Sequence, residues 1–294
     1  MKIGLIPPYA VGPVEERDFA LGFARLAEEL GFESVFAVEH VVLPVEYRST
    51  YPYDPGGRMP YDARTPQPDP LIWLAAASAV TDRLRLATGV LELPLRNPVV
   101  LAKELATLDR LAGGRLLLGV GLGWMREEAE AVGVSFDDRA RRADEALRAM
   151  RCLWREPVAS FEGTFVRFRE VRCEPRPLRP EGIPVIVGGH SEAAARRAGR
   201  HGDGLYPLVP PDRIPALRAI MEEEARRAGR SGHRFEITTV GAADPAAAEA
   251  LAGVGVDRML VPTTAPDLGA ARRELESIAD RLEEYLGSAA GGRA

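Results

Sequence analysis

Residues 86–128 have the sequence LATGVLELPLRNPVVLAKELATLDRLAGGRLLLGVGLGWMREE, and this stretch decides the fold. Two short apolar runs, each followed by glycine-rich sequence, lie on either side of a segment whose leucines at 101, 105, 108 and 111 recur at helical spacing. Asn97 and Pro98 fit the cap and the first position of a helix, and Gly113-Gly114 fits its end. The stretch predicts a strand, a helix whose leucine stripe packs inward, and a second, parallel strand.

The same alternation of strand and helix runs through the whole chain. The predicted strands are Lys2–Ile6, Ser34–Val38, Leu84–Thr88, Leu116–Val120, Pro184–Val187, Gly204–Tyr206, Glu236–Val240 and Arg258–Val261. They predict one α/β domain over residues 1–287, a closed (β/α)8 TIM barrel, with a flexible tail at 288–294. An open doubly wound sheet is the alternative, but Pro7-Pro8-Tyr9 follows the first strand where that fold usually has a glycine-rich nucleotide loop.

Two insertions interrupt the alternation, after the second and the fourth strands. Residues 44–70 contain seven prolines and tyrosines 47, 51, 53 and 61, a composition that excludes a helix and suits a lid over a site. The alternative for this loop is packing against a neighbouring subunit. Residues 159–173 alternate apolar and polar side chains around Gly163, which predicts a β-hairpin with a structural role or a place at a dimer edge.

Charge and residue spacing argue against several functional classes. The 38 lysines and arginines are spread among 43 acidic residues, so the net charge is −5 and no basic stripe is offered to nucleic acid. The first residues, MKIGLIPPYA, are too short an apolar run for a signal peptide or a membrane span, so a cytoplasmic protein without membrane contact is expected. Histidines 40, 190, 201 and 233 and the two cysteines lack metal-binding spacing, so no metal is expected.

Function in a barrel belongs to residues that directly follow the strands. The second strand leads into Glu39-His40, and a histidine beside a carboxylate can move a proton at a substrate. The alternative is a loop histidine with a structural hydrogen bond. The third strand leads into Thr88-Gly89-Val90, where the glycine lets the backbone approach a flat ligand closely.

The fourth strand ends in Gly121-Leu122-Gly123-Trp124. This segment is not a dinucleotide fingerprint, because a tryptophan stands where the third glycine would fall. The glycines make room for a ligand, and Trp124 can wall a ring. Glu127 and Glu128 follow in an early helical turn.

The fifth strand ends in Gly188-Gly189-His190-Ser191, and Ser191 fits the cap of an alanine-rich helix. Free backbone N–H groups and the positive end of a helix make this turn the best anion site in the sequence. A tight strand-to-helix turn without a ligand is the alternative.

Together these segments resemble a known family. Residues 86–128, the upstream FAVEH (36–40) and the downstream IPVIVGGHSEAAARRAGRHGDGLYP (183–207) resemble the luciferase-like monooxygenase superfamily, particularly its branch of probable F420-dependent oxidoreductases. The resemblance extends from residue 2 to about residue 262. It implies a bacterial-luciferase-like barrel that binds a flavin or deazaflavin in its mouth, with the ring between the third and fourth strands and the phosphate near Gly188-Gly189.

The resemblance also implies roles for individual residues. A cis peptide between Gly89 and Val90 would buttress the ring, and His40 would be the proton donor or stabiliser, tuned by Glu39. Glutamate stands at position 39 where some relatives have aspartate. The remaining implied contacts are with the cofactor, from Thr88, Gly121, Gly123, Trp124, Gly188, Gly189, His190 and Ser191, and with the substrate, from Trp124, Tyr51 and Tyr53.

Three functions are compatible with this pattern. The first is hydride transfer between coenzyme F420 and a small organic substrate. The second is a two-component monooxygenase that receives reduced FMN from a partner reductase. The third is a barrel that binds a flavin or deazaflavin without catalysis. The resemblance to this family implies a homodimer. The sequence does not identify the substrate.

Overall fold

Eight parallel strands form a closed barrel in the computed structural model, which describes residues 1–290. The strands of the described chain are β1 (Lys2–Ile6), β2 (Ser34–Ala37), β3 (Arg85–Thr88), β4 (Leu91–Glu92), β5 (Leu116–Gly121), β6 (Ala159–Glu162), β7 (Arg167–Val171), β8 (Val185–Gly188), β9 (Gly204–Tyr206), β10 (Glu236–Val240) and β11 (Arg258–Pro262). The barrel order is β3-β2-β1-β11-β10-β9-β8-β5, and pairing of Leu86 with Leu116 between β3 and β5 closes it. The TIM barrel is therefore confirmed, and each barrel strand lies within one residue of its predicted bounds.

Helices follow the barrel strands and cover the outside of the barrel. They are α1 (Arg17–Glu29), α2 (Pro70–Ser78), α3 (Pro98–Leu111), α4 (Arg126–Ala131), α5 (Arg139–Arg155), α6 (Glu192–His201), α7 (Ile214–Arg227), α8 (Pro245–Gly253), α9 (Leu268–Arg281) and α10 (Glu283–Ala290), with short 3-10 turns at 93–95, 136–138 and 211–213. The predicted tail at 288–294 falls partly within α10, and its residues 291–294 lie outside the described part of the chain. None of the helices described is long and apolar enough to cross a membrane.

Helix α3 begins as its sequence predicts. The Asn97 side chain accepts hydrogen bonds from the backbone N–H groups of Val99 (3.0 Å) and Val100 (3.2 Å). The leucines at 101, 105 and 108 are buried, but Leu111 is 69% exposed, so its predicted place in the inward stripe was wrong. A helix turns about 100° per residue, which puts Leu111 about 80° away from Leu101, on the solvent side of the last turn.

The two insertions differ in structure. Residues 159–173 form the predicted hairpin, in which β6 and β7 pair antiparallel. Residues 44–69 form turns and bends without regular structure, and Asp69 then caps α2 by accepting from the N–H groups of Leu71 (2.9 Å) and Ile72 (3.1 Å).

A buried ion cluster holds the amino ends of the strands together. Arg258, which is 0% exposed, donates to both carboxylate oxygens of Glu33 (2.8 Å each) and to Glu236 (3.2 Å). Burial alone would raise the pKa of Glu33, but the bonds from Arg258 outweigh it and lower that pKa to about 2. This cluster lies at the end of the barrel opposite the carboxyl ends of the strands, so it stabilises the fold without entering the site.

Replacing Arg258 by methionine should lower the free energy of unfolding by about 3–5 kcal/mol, because the Glu33 carboxylate loses both short bonds and keeps only the 3.5 Å contact with Arg85. Urea unfolding monitored by circular dichroism measures this loss. The native pKa of Glu33 lies below its unfolded value, so the contribution is present at neutral pH and is lost as the pH falls towards about 2. Arg272→Met, which removes an exposed pair with Glu29, is the control and should change little. An unchanged midpoint in Arg258→Met would contradict the role of the cluster.

Candidate active site

One cavity of about 470 Å³ opens at the carboxyl ends of the barrel strands. Seven of the eight strands contribute to its wall, through residues at or just after their ends. The predicted site residues that line this cavity are Glu39, His40, Tyr51, Tyr53, Gly89, Val90, Gly121, Gly123, Trp124, Gly188, Gly189, His190 and Ser191. Segments far apart in the sequence thus converge on one rim.

Thr88, which was predicted to contact the cofactor, does not line the cavity. Its side chain is fully buried, and its hydroxyl donates to the Gly119 carbonyl at 2.6 Å. Because the side chains of a strand alternate in direction, a residue beside the site can face the neighbouring strand instead. Thr88 joins β3 to β5.

The peptide between Gly89 and Val90 is cis, as the resemblance implies. Two glycines leave room for the Val90 side chain. A Cβ on Gly121 would lie 2.6 Å from a Val90 methyl, and one on Gly188 would lie 2.9 Å from the other methyl. Gly119 instead lies against the Thr88 carbonyl oxygen, only 2.0 Å from where its Cβ would stand. The glycines at the ends of β5 and β8 therefore let Val90 project into the cavity as a ridge on its floor.

Glu39 is held by an arginine that sequence reasoning missed. Its carboxylate accepts from Arg96 Nε at 2.9 Å and from Arg96 Nη2, and it also accepts from the Glu92 backbone N–H. Arg96 binds Asp69 at 2.6 Å as well. The resemblance implies that Glu39 tunes His40, but Glu39 makes no hydrogen bond with His40 within residues 1–290. It joins the end of β2 to the turn after β4 and, through Arg96, to the start of α2. Nothing in the sequence LPLRN (93–97) indicated that Arg96 would pair with Glu39.

His40 instead pairs with Glu128, which the sequence placed in an early helical turn but gave no role. The two side chains meet at 2.8 Å between His40 Nδ1 and Glu128 Oε2. The other oxygen of Glu128 accepts from the backbone N–H groups of Val41 (2.5 Å) and Val42 (3.2 Å). A carboxylate on Nδ1 fixes the ring and favours a proton on that nitrogen, which leaves Nε2 as the basic atom. Nε2 has no hydrogen-bond partner among residues 1–290.

Glu92 is a second acid of the site that the sequence did not single out. It is 5% exposed, it lines the cavity, and one of its carboxylate oxygens lies 3.0 Å from where a Cβ on Gly123 would stand. Burial, then the charges of Glu128 and Glu39, raise the pKa of Glu92 well above its ordinary value. A charged residue within the apolar run GVLELPL was the available signal.

Aromatic rings from the 44–70 insertion cover the cavity. They form a series of edge-to-face contacts that begins at His40, 6.1 Å from Trp124, and continues from Trp124 to Tyr51 at 5.2 Å. Tyr51 contacts Tyr53 at 5.3 Å, and Tyr53 contacts His190 at 5.8 Å. The insertion therefore lies over the cavity as a lid, which supports the first of the two interpretations of this loop.

The start of the lid is held by α4. Glu127 accepts from the Ser49 hydroxyl and from the Arg48 backbone N–H, at 2.7 Å each. These bonds, with that from Ser49 the strongest, lower the pKa of Glu127 to about 2. Asp69 and Arg96 hold the other end, so the tyrosines lie between two fixed points.

The opposite end of the cavity is suited to an anion. Ser191 caps α6 by accepting from the Ala194 N–H at 3.2 Å, as predicted, and the helix directs its positive end towards the cavity. Arg139 and Arg197 line the same end, and Arg197 is held by Asp144 on α5. Neither arginine was predicted, because Arg139 begins α5 and Arg197 lies within α6, and neither follows a strand end directly. One end of the cavity is thus cationic, and the other is aromatic and acidic.

Comparison with known proteins agrees with this architecture. The family model described as "Luciferase-like monooxygenase" matches residues 1–292. The uncharacterized protein Rv0953c of Mycobacterium tuberculosis is 38% identical over 211 residues, which are 71% of this chain and 74% of the relative. An F420-dependent glucose-6-phosphate dehydrogenase of Kineococcus radiotolerans is 34% identical over 237 residues, which are 77% of this chain and 65% of the relative.

Solved structures show the same fold. The monooxygenase RslO1 from Streptomyces bottropensis superposes with a TM-score of 0.78 at 25% identity, over 97% of this chain and 99% of that chain. An F420-dependent secondary alcohol dehydrogenase, in complex with an F420-acetone adduct, superposes with a TM-score of 0.76 at 19% identity, over 98% of each chain. With a family match over nearly its whole length, and with oxidoreductases among its relatives, this chain is an oxidoreductase that belongs to the luciferase-like monooxygenase family.

Proposed function

We propose that this protein is an F420-dependent oxidoreductase that transfers a hydride between the deazaflavin and a small organic substrate with a hydroxyl or carbonyl group. The observation that carries the proposal is the division of the cavity into an anion-binding end at Arg197 and α6 and a proton-transfer end at His40 and Glu128. A redox cofactor with an anionic tail and a substrate that exchanges a proton need such a division.

The residues present fit a tricyclic ring with a phosphate-bearing tail. The Val90 ridge would support the ring. Glycines at positions 121 and 188 leave the space for this ridge, which side chains there would fill. The N–H groups at the start of α6, with Arg139 and Arg197, would bind the phosphate. A 5-deazaflavin carries hydride in two-electron steps and reacts only slowly with oxygen, so the protein has to supply orientation, exclusion of water and a path for protons.

His40 would take the hydroxyl proton from a substrate that is oxidised. The bond from Nδ1 to Glu128 orients the ring and stabilises the positive charge that it gains. Trp124, Tyr51 and Tyr53 would pack on the substrate and exclude water. Two of the comparison proteins are named for the dehydrogenation of a sugar phosphate and of a secondary alcohol, which supports a substrate with a hydroxyl group.

An FMN-dependent monooxygenase is the second candidate, favoured by the likeness to RslO1 at 25% identity. It would receive reduced FMN from a partner reductase, whereas the first candidate needs at most an enzyme that reduces its deazaflavin. A barrel that only binds the cofactor is the third candidate, and the His40–Glu128 pair argues against it because binding alone needs no proton acceptor. Under each candidate we expect a homodimer in the cytoplasm.

Titration of the purified protein with oxidised and reduced F420, and separately with oxidised and reduced FMN, should give saturable binding of F420 and no oxygen uptake. Absorbance and an oxygen electrode measure the two quantities. Arg197→Met should weaken F420 binding about 10- to 100-fold, because a charge-assisted bond to the phosphate is lost. Arg196→Met, at the adjacent exposed position, is the matched control. Tight binding of reduced FMN with oxygen consumption would favour the monooxygenase instead.

His40→Asn should lower turnover with F420 and a panel of alcohols about 10²- to 10⁴-fold, since a general base is removed. The dissociation constant for F420 should change little. Glu128→Gln should act in the same direction through loss of the ring's orientation. His233→Asn, at the opposite end of the barrel near Asp203, is the control. Unchanged turnover in His40→Asn would remove this histidine from the proposed chemistry.

A further inference from the structure

Glu92 has a position that the proposed roles of His40 and Glu128 do not explain. It follows the cis peptide in the short strand β4, its carboxylate faces the cavity, and neither of its oxygens has a hydrogen-bond partner in the described part of the chain. An ionised carboxylate that is 5% exposed and accepts no hydrogen bond is disfavoured, because most of its hydration is lost and no protein donor replaces it. The other buried glutamates among residues 1–290, Glu39, Glu128 and Glu145, all accept hydrogen bonds. Glu92 accepts none.

The surroundings of Glu92 increase this cost. The charged groups closest to its carboxyl are Glu39 from the end of β2 and Glu128 from α4, and the lid contributes the hydroxyls of Tyr53 and Tyr61. Like charges on neighbouring carboxyl groups oppose ionisation of both.

The nearby donors are already occupied. Arg96, the nearby cation, binds Glu39 and Asp69, and the Nδ1 atom of His40 binds Glu128. Glu92 thus faces two carboxylates without a cation of its own, and a bound proton is the simplest way to remove its charge.

A divalent cation could also gather these side chains, since one atom each of His40, Glu92 and Glu128 lies within 4.8 Å of the others. The hydrogen bonds argue against it. His40 Nδ1 and Glu128 Oε2 bind each other at 2.8 Å, and Glu128 Oε1 binds two backbone N–H groups, so a cation would have to displace bonds that a proton on Glu92 leaves intact. The arrangement favours a proton.

We propose that Glu92 keeps its proton at neutral pH and is the catalytic acid of this site, opposite the base His40. That Glu92 holds a proton concerns the free protein alone, whereas donation of this proton during turnover rests on the proposed function. When an alcohol is oxidised, a bound deazaflavin would accept the hydride from its carbon, and its hydroxyl would give a proton to His40. Glu92 would supply the one proton that balances uptake of this hydride, and its O–H bond would break in that step.

One transfer within the cluster resets the protein. After turnover His40 has gained a proton and Glu92 has lost one, and their nearest functional atoms lie within 4.8 Å of each other. Passage of the proton from His40 to the Glu92 carboxylate, directly or through one water, restores both groups. Protons and charges then balance within the cluster, without a proton taken from bulk solvent.

Infrared difference spectra of the protein without cofactor test the protonation directly. Wild type at neutral pH should show the carbonyl band of a protonated carboxyl, and Glu92→Gln should lack it. Glu104→Gln, an exposed position on α3, is the matched control and should keep the band. A wild-type spectrum without the band, or tight binding of Zn²⁺ or Mn²⁺ that Glu92→Gln abolishes, would overturn the proposal.

The pH dependence of thermal stability is a second test of the free protein. The native pKa of Glu92 lies above its unfolded value near 4.3, so its contribution to stability is complete below that value and is lost as the pH rises through the native pKa. Glu92→Gln has no such loss. The melting temperature of Glu92→Gln minus that of wild type should therefore increase as the pH is raised from acid to alkaline. A difference that stays constant with pH would contradict the proposal.

Turnover tests the catalytic part. Glu92→Gln should bind F420 as wild type does and lose about 10²- to 10⁴-fold in kcat with little change in KM, and the alkaline fall of its pH profile should disappear. Glu92→Asp should recover part of the rate. Normal F420 binding with full kcat in Glu92→Gln would overturn the catalytic role and leave the proposed function intact. Failure of wild type to bind F420 would refute the proposed function, while the spectra still decide the protonation.

Discussion

Closure of the barrel between β3 and β5 is the constraint on which the rest of the molecule depends. Pairing of Leu86 with Leu116 makes a ring of eight parallel strands, and parallel strands bring all their carboxyl ends to one rim. Residues near 39, 89, 123 and 188 meet there because of that geometry and not because of any contact among themselves. An open sheet of the same strands would place the ends of β3 and β5 on a line, with no enclosed cavity between them.

Within this frame, the site combines tight backbone packing with unfavourable electrostatics. The absence of side chains at Gly121 and Gly188 lets Val90 project between the strands. Close to that ridge the protein buries three acids, Glu39, Glu92 and Glu128, of which only two have donors for their carboxylates. Ion pairs at the other end of the barrel, around Arg258, are fully matched. The contrast between matched and unmatched charges is typical of sites where pKa values serve chemistry.

The sequence predicted what depends on local pattern. Strand bounds, the Asn97 cap, the Ser191 cap and the hairpin follow from residues that are neighbours in the chain, and so does the grouping of strand-end segments once a barrel is assumed. Side-chain partners could not be predicted in the same way. Glu39 pairs with Arg96 across 57 positions and His40 with Glu128 across 88, and no spacing rule links such residues. The exposure of Leu111 and the position of Thr88 outside the cavity lining have a different reason, because small rotations of a helix or strand decide which side a residue faces.

The lid is fixed at its two ends by carboxylates, Glu127 near residue 49 and Asp69 at the start of α2. The middle part of the lid forms hydrogen bonds within the loop itself, such as that from the Tyr51 N–H to the Gly57 carbonyl (2.9 Å). Substitutions between these ends can alter which molecules fit beneath the loop without removing Glu127 or Asp69, the carboxylates that hold the ends of the loop. A chain built in this way can diversify its substrates while its redox machinery stays the same. Such separation lets a single scaffold evolve into many enzymes.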